Sequence, residues 1–387
     1  MRGWAVRDRL RAWWDADRPE DTPYERTRHR AIRRGTVAGM ALVVVGSVVP
    51  VPFMVLSPGP TYNTIGEVDG EPVIVISGTT TYPTDGALDM TTVAERGGVS
   101  GGVNLGEAML AWLQPDSSVV PRESIYGPDT TGAEVSARND QMFALSQSDA
   151  IAAAMGELGI ATEQAVVVTL VEGGSPADGI VRAGDEVVAV DGKPVQSPDD
   201  VVAAVRAHDV GDTVALTVRR ADESGAMATT DVEVVAGASP AGAADGSADP
   251  VAYLGIGVGT RHDAPFDIAF TLQDVGGPSA GMMFSLAIVD MLTEGPLTGG
   301  GHVAGTGTID PEGEVGPIGG ITHKLQGARD AGATLFLAPA DNCAEVVGHV
   351  PDGLQVVSVR TLSEARAAVQ AWADDPEAPL PSCAAQP

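Results

Sequence analysis

Lysine is almost missing from this sequence: Lys193 and Lys324 are the only two in 387 residues, against twenty-one arginines. Few positions can therefore supply a proton-accepting amine, because a guanidinium stays protonated. A P-loop needs Gly-Lys followed by Ser or Thr. The only Gly-Lys pair, Gly192-Lys193, is followed by Pro194, so a Walker A motif is excluded and no nucleotide is expected. The sequence has no His-Glu-x-x-His and no paired-cysteine motif, and neither a catalytic metal nor a cofactor is expected. No internal repeat is apparent. The net charge of −29 leaves little basic surface, and residues 36–387 carry most of the acid, which argues against nucleic-acid binding.

Basic charge is concentrated at the start, where residues 1–35 hold ten arginines against six acids. Gly35 to Leu56 is free of charge and rich in Val, Ala, Leu and Met, long enough to cross roughly 30 Å of hydrocarbon as a helix. The arginine-rich flank predicts a cytoplasmic tail over 1–34, an uncleaved transmembrane anchor over 35–57 and everything after it outside. A cleaved signal peptide is the alternative, disfavoured by the long charged leader. Trp4, Leu10, Trp13 and Trp14 among the arginines fit a stripe on the inner membrane surface or a loose tail. Cys343 and Cys383 both fall on the outer side, where a disulfide clamping the C-terminal tail is permitted and two free thiols remain open.

Two stretches carry the chemistry. Gly276-Gly277-Pro278-Ser279-Ala280-Gly281 precedes an apolar run from Met282 to Leu292, so Ser279 is expected to open a buried helix beside unpaired N–H groups. Farther on, Gly319-Gly320 leads into a helix where Ile321, Lys324, Leu325 and Ala328 share one face. A lysine on an apolar face loses its proton more easily and becomes a general base. Each stretch alone has an ordinary reading, as a capped turn or as a lysine reaching for water. Lys193, after the Asp191-Gly192 turn, reads as solvated. A Ser-His-Asp triad using His302 or His323 with Asp310 or Asp330 is the competing chemistry.

Gly277-Pro278-Ser279-Ala280-Gly281, Thr306-Gly307, Gly313 and Pro317-Ile318-Gly319-Gly320 with Lys324 together resemble the proteolytic domain of the Lon family. The resemblance implies that Ser279 is the nucleophile, Lys324 its base and Thr306 the holder of the amine, with Gly277, Pro278, Ala280, Gly319 and Gly320 in support. Gly276 stands where many Lon sequences carry an acid, with Asp274 close by. It also implies ring-shaped homo-oligomers, which acidic bodies would weaken. Residues 160–235, with Gly173-Gly174-Ser175-Pro176-Ala177, a strand at Val187–Val190, the Asp191-Gly192 hairpin and a helix capped by Ser197-Pro198, resemble a bacterial PDZ domain, which takes an extended peptide as an added strand.

The fold class expected is α+β. It comprises the tail and anchor, a β/α region of unassigned role over 58–150, a PDZ-like β-sandwich over 151–236 and a linker over 237–250. A mixed α/β Lon-type protease domain over 251–373 and a tail over 374–387 follow. That arrangement resembles the membrane-anchored PDZ–Lon serine proteases of Gram-positive bacteria. It implies ATP-independent endopeptidase activity outside the membrane on flexible or membrane-associated polypeptides. The alternative is a non-catalytic PDZ adaptor on a Lon-like scaffold.

Overall fold

A computed structural model describes residues 22–99, 101–127, 130–221, 227–239, 250–272 and 275–383. The tryptophan-arginine stretch before residue 22, Asp274 and most of the 237–250 linker lie outside the described residues. Contacts divide the chain into two units, Met1–Leu56 with Glu95–Asp129, and Ser57–Ala94 with Thr130–Pro387.

The first unit corrects the expected transmembrane anchor and, with it, the single-pass localisation. Helix α1 (Pro23–Val48) begins among the arginines and stops ahead of Pro50 and Pro52, which cannot continue it. Its uncharged part, from Gly35 onward, is roughly 21 Å long at 1.5 Å per residue, against about 30 Å of hydrocarbon. Among the described residues no helix is long and apolar enough to cross a membrane. The rest of the apolar run is used differently, because strand β1 (Phe53–Asn63) starts within it. Phe53–Leu56 pair antiparallel with Ser118–Pro121, and Val55 packs with Val103, Ala108 and Ala111. Met54 and Val55, at the end of the run, are buried in protein, whereas Met40, Leu42, Val43 and Val44 of α1 are exposed.

The second unit holds strands β2 (Ile74–Ser77) and β3 (Ala87–Arg96), then helix α2 (Gly132–Leu158). This helix starts at Gly132, where Thr131 and Glu134 form a capping box. It ends on Gly159 in the left-handed region. Strands β4 (Glu163–Val171), β5 (Glu186–Val190) and β6 (Lys193–Pro194), helix α3 (Pro198–Arg206) and strands β7 (Thr213–Ala221), β8 (Met227–Val235) and β9 (Ile256–Asp263) follow. They form an antiparallel sheet in the order β8-β7-β5-β4-β9. Its valine-rich inner face is covered by α3, whose start is fixed by Ser197, Pro198 and Asp200. Strand β9 pairs with β4 along its length, so residues 256–263, which fall within the segment expected to be the protease domain, belong to this sheet.

Then come β10 (Asp267–Phe270), α4 (Gly281–Leu292), β11 (His302–Gly305), β12 (Thr308–Ile309), β13 (Val315–Gly316), α5 (Ile321–Asp330), β14 (Leu335–Pro339), a short helix α6 (Cys343–Val346), β15 (Gln355–Val359) and α7 (Leu362–Asp374). The second sheet runs β15-β14-β11-β3-β1, with β3, β11, β14 and β15 parallel. A region read as having no assigned role thus supplies two of its strands. Helix α4 is buried on every side from Gly281 to Asp290, as a helix with apolar residues all round must be. Phe284 at its centre meets Phe143 of α2 and Phe270 of β10 edge-on, with ring centres 5.9 and 4.9 Å apart.

Candidate active site

Three chain segments meet at the carboxyl end of β11. Residues His302 to Ile309 have the pattern of one strand but break at Thr306-Gly307 into β11 and β12. Thr306 N still donates to Leu337 O on β14 (3.2 Å), but Gly307 N turns to the Ser279 carbonyl at 2.9 Å. The same carbonyl accepts from Thr306 Oγ1 at 3.0 Å. These bonds hold the serine outside the helix that it was expected to open. Helix α4 begins at Gly281 after Ala280 and lacks a side-chain cap, while Gly277–Ala280 is a turn fastened from outside. Ser146 Oγ of α2 donates to Pro278 O at 3.0 Å, and Gly277 N donates to Asn139 O at 3.1 Å. Gly277 sits at φ +85°, where a side chain would be strained.

The lysine arrives from the opposite direction. Pro317 and Ile318 lead to Gly319 and Gly320. Gly320, at φ +70°, directs the chain into α5. Ile321, Lys324, Leu325 and Ala328 are all buried, as their shared face requires. Lys324 Nζ lies 2.7 Å from Ser279 Oγ and 2.9 Å from Thr306 Oγ1. Thr306 is fully buried, and Lys324 is 3% exposed. Burial alone pulls the lysine down from 10.5 to about 7, because the ammonium is costly where water is excluded. The proton orientation follows from counting donors. The single hydroxyl hydrogen of Thr306 goes to the Ser279 carbonyl, so Thr306 Oγ1 receives a hydrogen from Nζ. A neutral amine oriented this way keeps its lone pair for the Ser279 hydroxyl.

The residues of the competing triad are placed elsewhere. His302 Nε2 is 2.8 Å from Asp89 Oδ2 at the other end of β11. Asp310 Oδ1 accepts from Glu314 N at 2.8 Å, and Asp330 Oδ1 accepts from Gln326 Nε2, also at 2.8 Å. His323 is buried beside Lys324 in sequence but projects from a different face of α5. Lys193 is exposed in its hairpin. Among the described residues no cluster of His, Cys, Asp and Glu could hold a metal ion. Ser146 and Asn139 had no signal in the sequence, since a serine and an asparagine on a long helix carry no motif. Cys343 and Cys383 are disulfide-bonded.

Residues 143–234 match the PDZ domain family, and residues 273–370 match the Lon protease (S16) C-terminal proteolytic domain. Lon protease 1 of Sorangium cellulosum is 42% identical over 110 residues, which is 28% of this chain and 13% of that protein. An archaeal Lon protease from Methanothermobacter thermautotrophicus is 31% identical over 114 residues, 29% of this chain and 17% of that one. The chain therefore spans under a fifth of these relatives' length. Among solved structures, the PDZ domain of an SdrC-like protein from Listeria innocua is similar at 24% identity, covering 24% of this chain and 92% of that one, with a TM-score of 0.20. The chain thus carries a PDZ domain followed by a proteolytic domain of the Lon (S16) type, and the enzyme class that these matches support is serine peptidase.

Proposed function

We propose that the chain is an endopeptidase in which Ser279 is the nucleophile and Lys324 the general base. The observation that carries the reading is the 2.7 Å contact between a buried amine, brought to about 7, and the serine hydroxyl. Lys324 Nζ takes the hydroxyl proton as Oγ bonds to the scissile carbonyl carbon. Main-chain N–H groups beside Ser279 hold the oxyanion. As the tetrahedral intermediate collapses, the lysine returns the proton to the leaving amine. Water, deprotonated by the same amine, then hydrolyses the acyl-enzyme. Thr306 fixes the amine and ties it to the backbone of its own nucleophile. Gly277, Pro278 and Ala280 shape the serine turn, and Gly319 and Gly320 shape the entry to the lysine helix.

This chain holds no Walker A motif, and its substrates are proposed to be polypeptides that are already extended, cleaved without ATP. The PDZ domain gathers them by adding a strand to a sheet edge. Turnover of an unstructured polypeptide, with and without ATP, tests the proposal in wild type and Ser279→Ala. Expected are equal rates with and without ATP and no turnover in the variant. Undiminished turnover in Ser279→Ala would refute the nucleophile. A serine-directed acylating probe should label wild type alone.

A further inference from the structure

Asn342 follows β14 and is 2% exposed. Its Oδ1 accepts from Ile318 N at 2.9 Å, and its Nδ2 donates to Ile318 O at 2.8 Å. The second Nδ2 hydrogen goes to Glu345 Oε1 at 3.1 Å. One buried amide thereby grips both hydrogen-bonding groups of a single backbone residue. Ile318 comes immediately before Gly319 and Gly320, and α5 starts without a side-chain cap. Two glycines leave the helix entry free to rotate unless something outside holds it.

The packing of α5 does not do this alone. Ile321, Leu325 and Ala328 lie against Phe336, Ala338 and Val346, which sets the depth of the helix. Apolar contact is non-directional and leaves sliding and rotation weakly defined. Hydrogen bonds of fixed geometry at Ile318 define both. Asn342 is in turn anchored, because its neighbour Cys343 is bonded to Cys383, and the tail's Pro381 O accepts from Ser358 N on β15 at 2.9 Å.

We propose that Asn342 is a positioning residue for Lys324: its amide sets where α5 begins, and so sets the distance from Nζ to Ser279 Oγ. This rests on the Ser279–Lys324 reading above. A displacement of about 1 Å between reacting groups costs up to roughly a hundredfold in rate, so the clamp acts on turnover without touching substrate.

Asn342→Asp has the same size and keeps the acceptor for Ile318 N, but places an oxygen against Ile318 O. Rates are counted per site titrated with the acylating probe, so unfolded molecules drop out. Expected are a kcat lower by roughly tenfold or more, a KM within about twofold of wild type, and a pH midpoint of activity displaced upward as the amine leaves its buried seat. A merely structural role lowers the number of titrated sites and moves neither kcat per site nor the midpoint, and that result would overturn the proposal. Should Asn342→Asp not fold, Asn342→Ser, smaller and uncharged, is judged by the same criteria. Ser279→Ala separates the two readings. If it retains wild-type turnover, the dyad itself fails; if it is inactive while titrated Asn342→Asp matches wild type, only the positioning role fails.

Discussion

Replacing Lys324 by Met should make the protein more stable and inactive. Methionine has nearly the lysine's length and shape without its charge, so it removes the cost of holding an amine in a site that is 3% exposed. A fall from 10.5 to about 7 corresponds to about 5 kcal/mol of disfavoured ammonium. Against this, the variant loses the contacts to Ser279 and Thr306, each worth about 1 kcal/mol. The net gain at pH 6 is about 3 kcal/mol.

The sign with pH follows from proton counting. The native-state value lies below the unfolded one, so between pH 7 and 10.5 the unfolded chain binds more protons and wild-type stability rises with pH. Below that window both states are protonated and the full cost is present; above it the cost is gone. Denaturant titrations of wild type and Lys324→Met at a series of pH values should therefore show the variant ahead at pH 6 and its advantage lost by about pH 10. A difference that stays constant across the series would refute a buried, shifted lysine. Activity obeys the same equilibrium, rising with pH through about 7 and then levelling. Lys324→Arg should be as inactive as Lys324→Met, since guanidinium cannot accept the proton.

Gly320→Ala forces a side chain into φ +70° and brings its Cβ within 3.0 Å of Val93 Cγ2; a loss of roughly 1–2 kcal/mol in stability is expected, with turnover reduced further because α5 starts there. Cys383→Ser opens a disulfide that closes a separation of 40 residues, and thermal or denaturant unfolding should show a loss of about 2–4 kcal/mol, reproduced in wild type by a dithiol reductant. Asp290 is buried in α4, its Oδ1 accepting from Leu297 N at 2.7 Å, and burial raises it from 3.8 to about 6. Because the folded value lies above the unfolded one, its contribution is fullest below pH 4 and is lost as pH rises through 6, by about 3 kcal/mol. Asp290→Asn should flatten that fall, and an unchanged pH slope would show that Asp290 is not the group responsible.

Local patterns in the sequence were most informative where one element explains itself. The face shared by Ile321, Lys324, Leu325 and Ala328 is a property of a single helix, and so are the caps at Ser197 and the Asp191-Gly192 hairpin, where both residues take positive φ. The apolar run after Gly35 misled because hydropathy records an aversion to water without naming the alternative. Met54 and Val55 leave water by pairing with a strand more than sixty residues away, and no window of neighbouring residues contains that partner. The break at Thr306 was hidden for the same reason: Thr306 and Gly307 look like strand continuation until the Ser279 carbonyl captures them.

That capture also explains why so sparse a site is well defined. Ser279 comes before a helix, Thr306 follows a strand and Lys324 belongs to another helix, so no single element holds any two of them. They converge because β11 is central in a parallel array, and the crevice beyond the carboxyl ends of such strands is where chain segments part and leave room for side chains. Each member then restrains another: the threonine holds the serine backbone through its hydrogen and the lysine through its oxygen. The cost of burying the amine is the large unfavourable contribution in this network, and without it the lysine would keep its proton at neutral pH. The instability ascribed to Lys324 and the basicity required of it are therefore the same quantity, measurable once by unfolding and once by turnover.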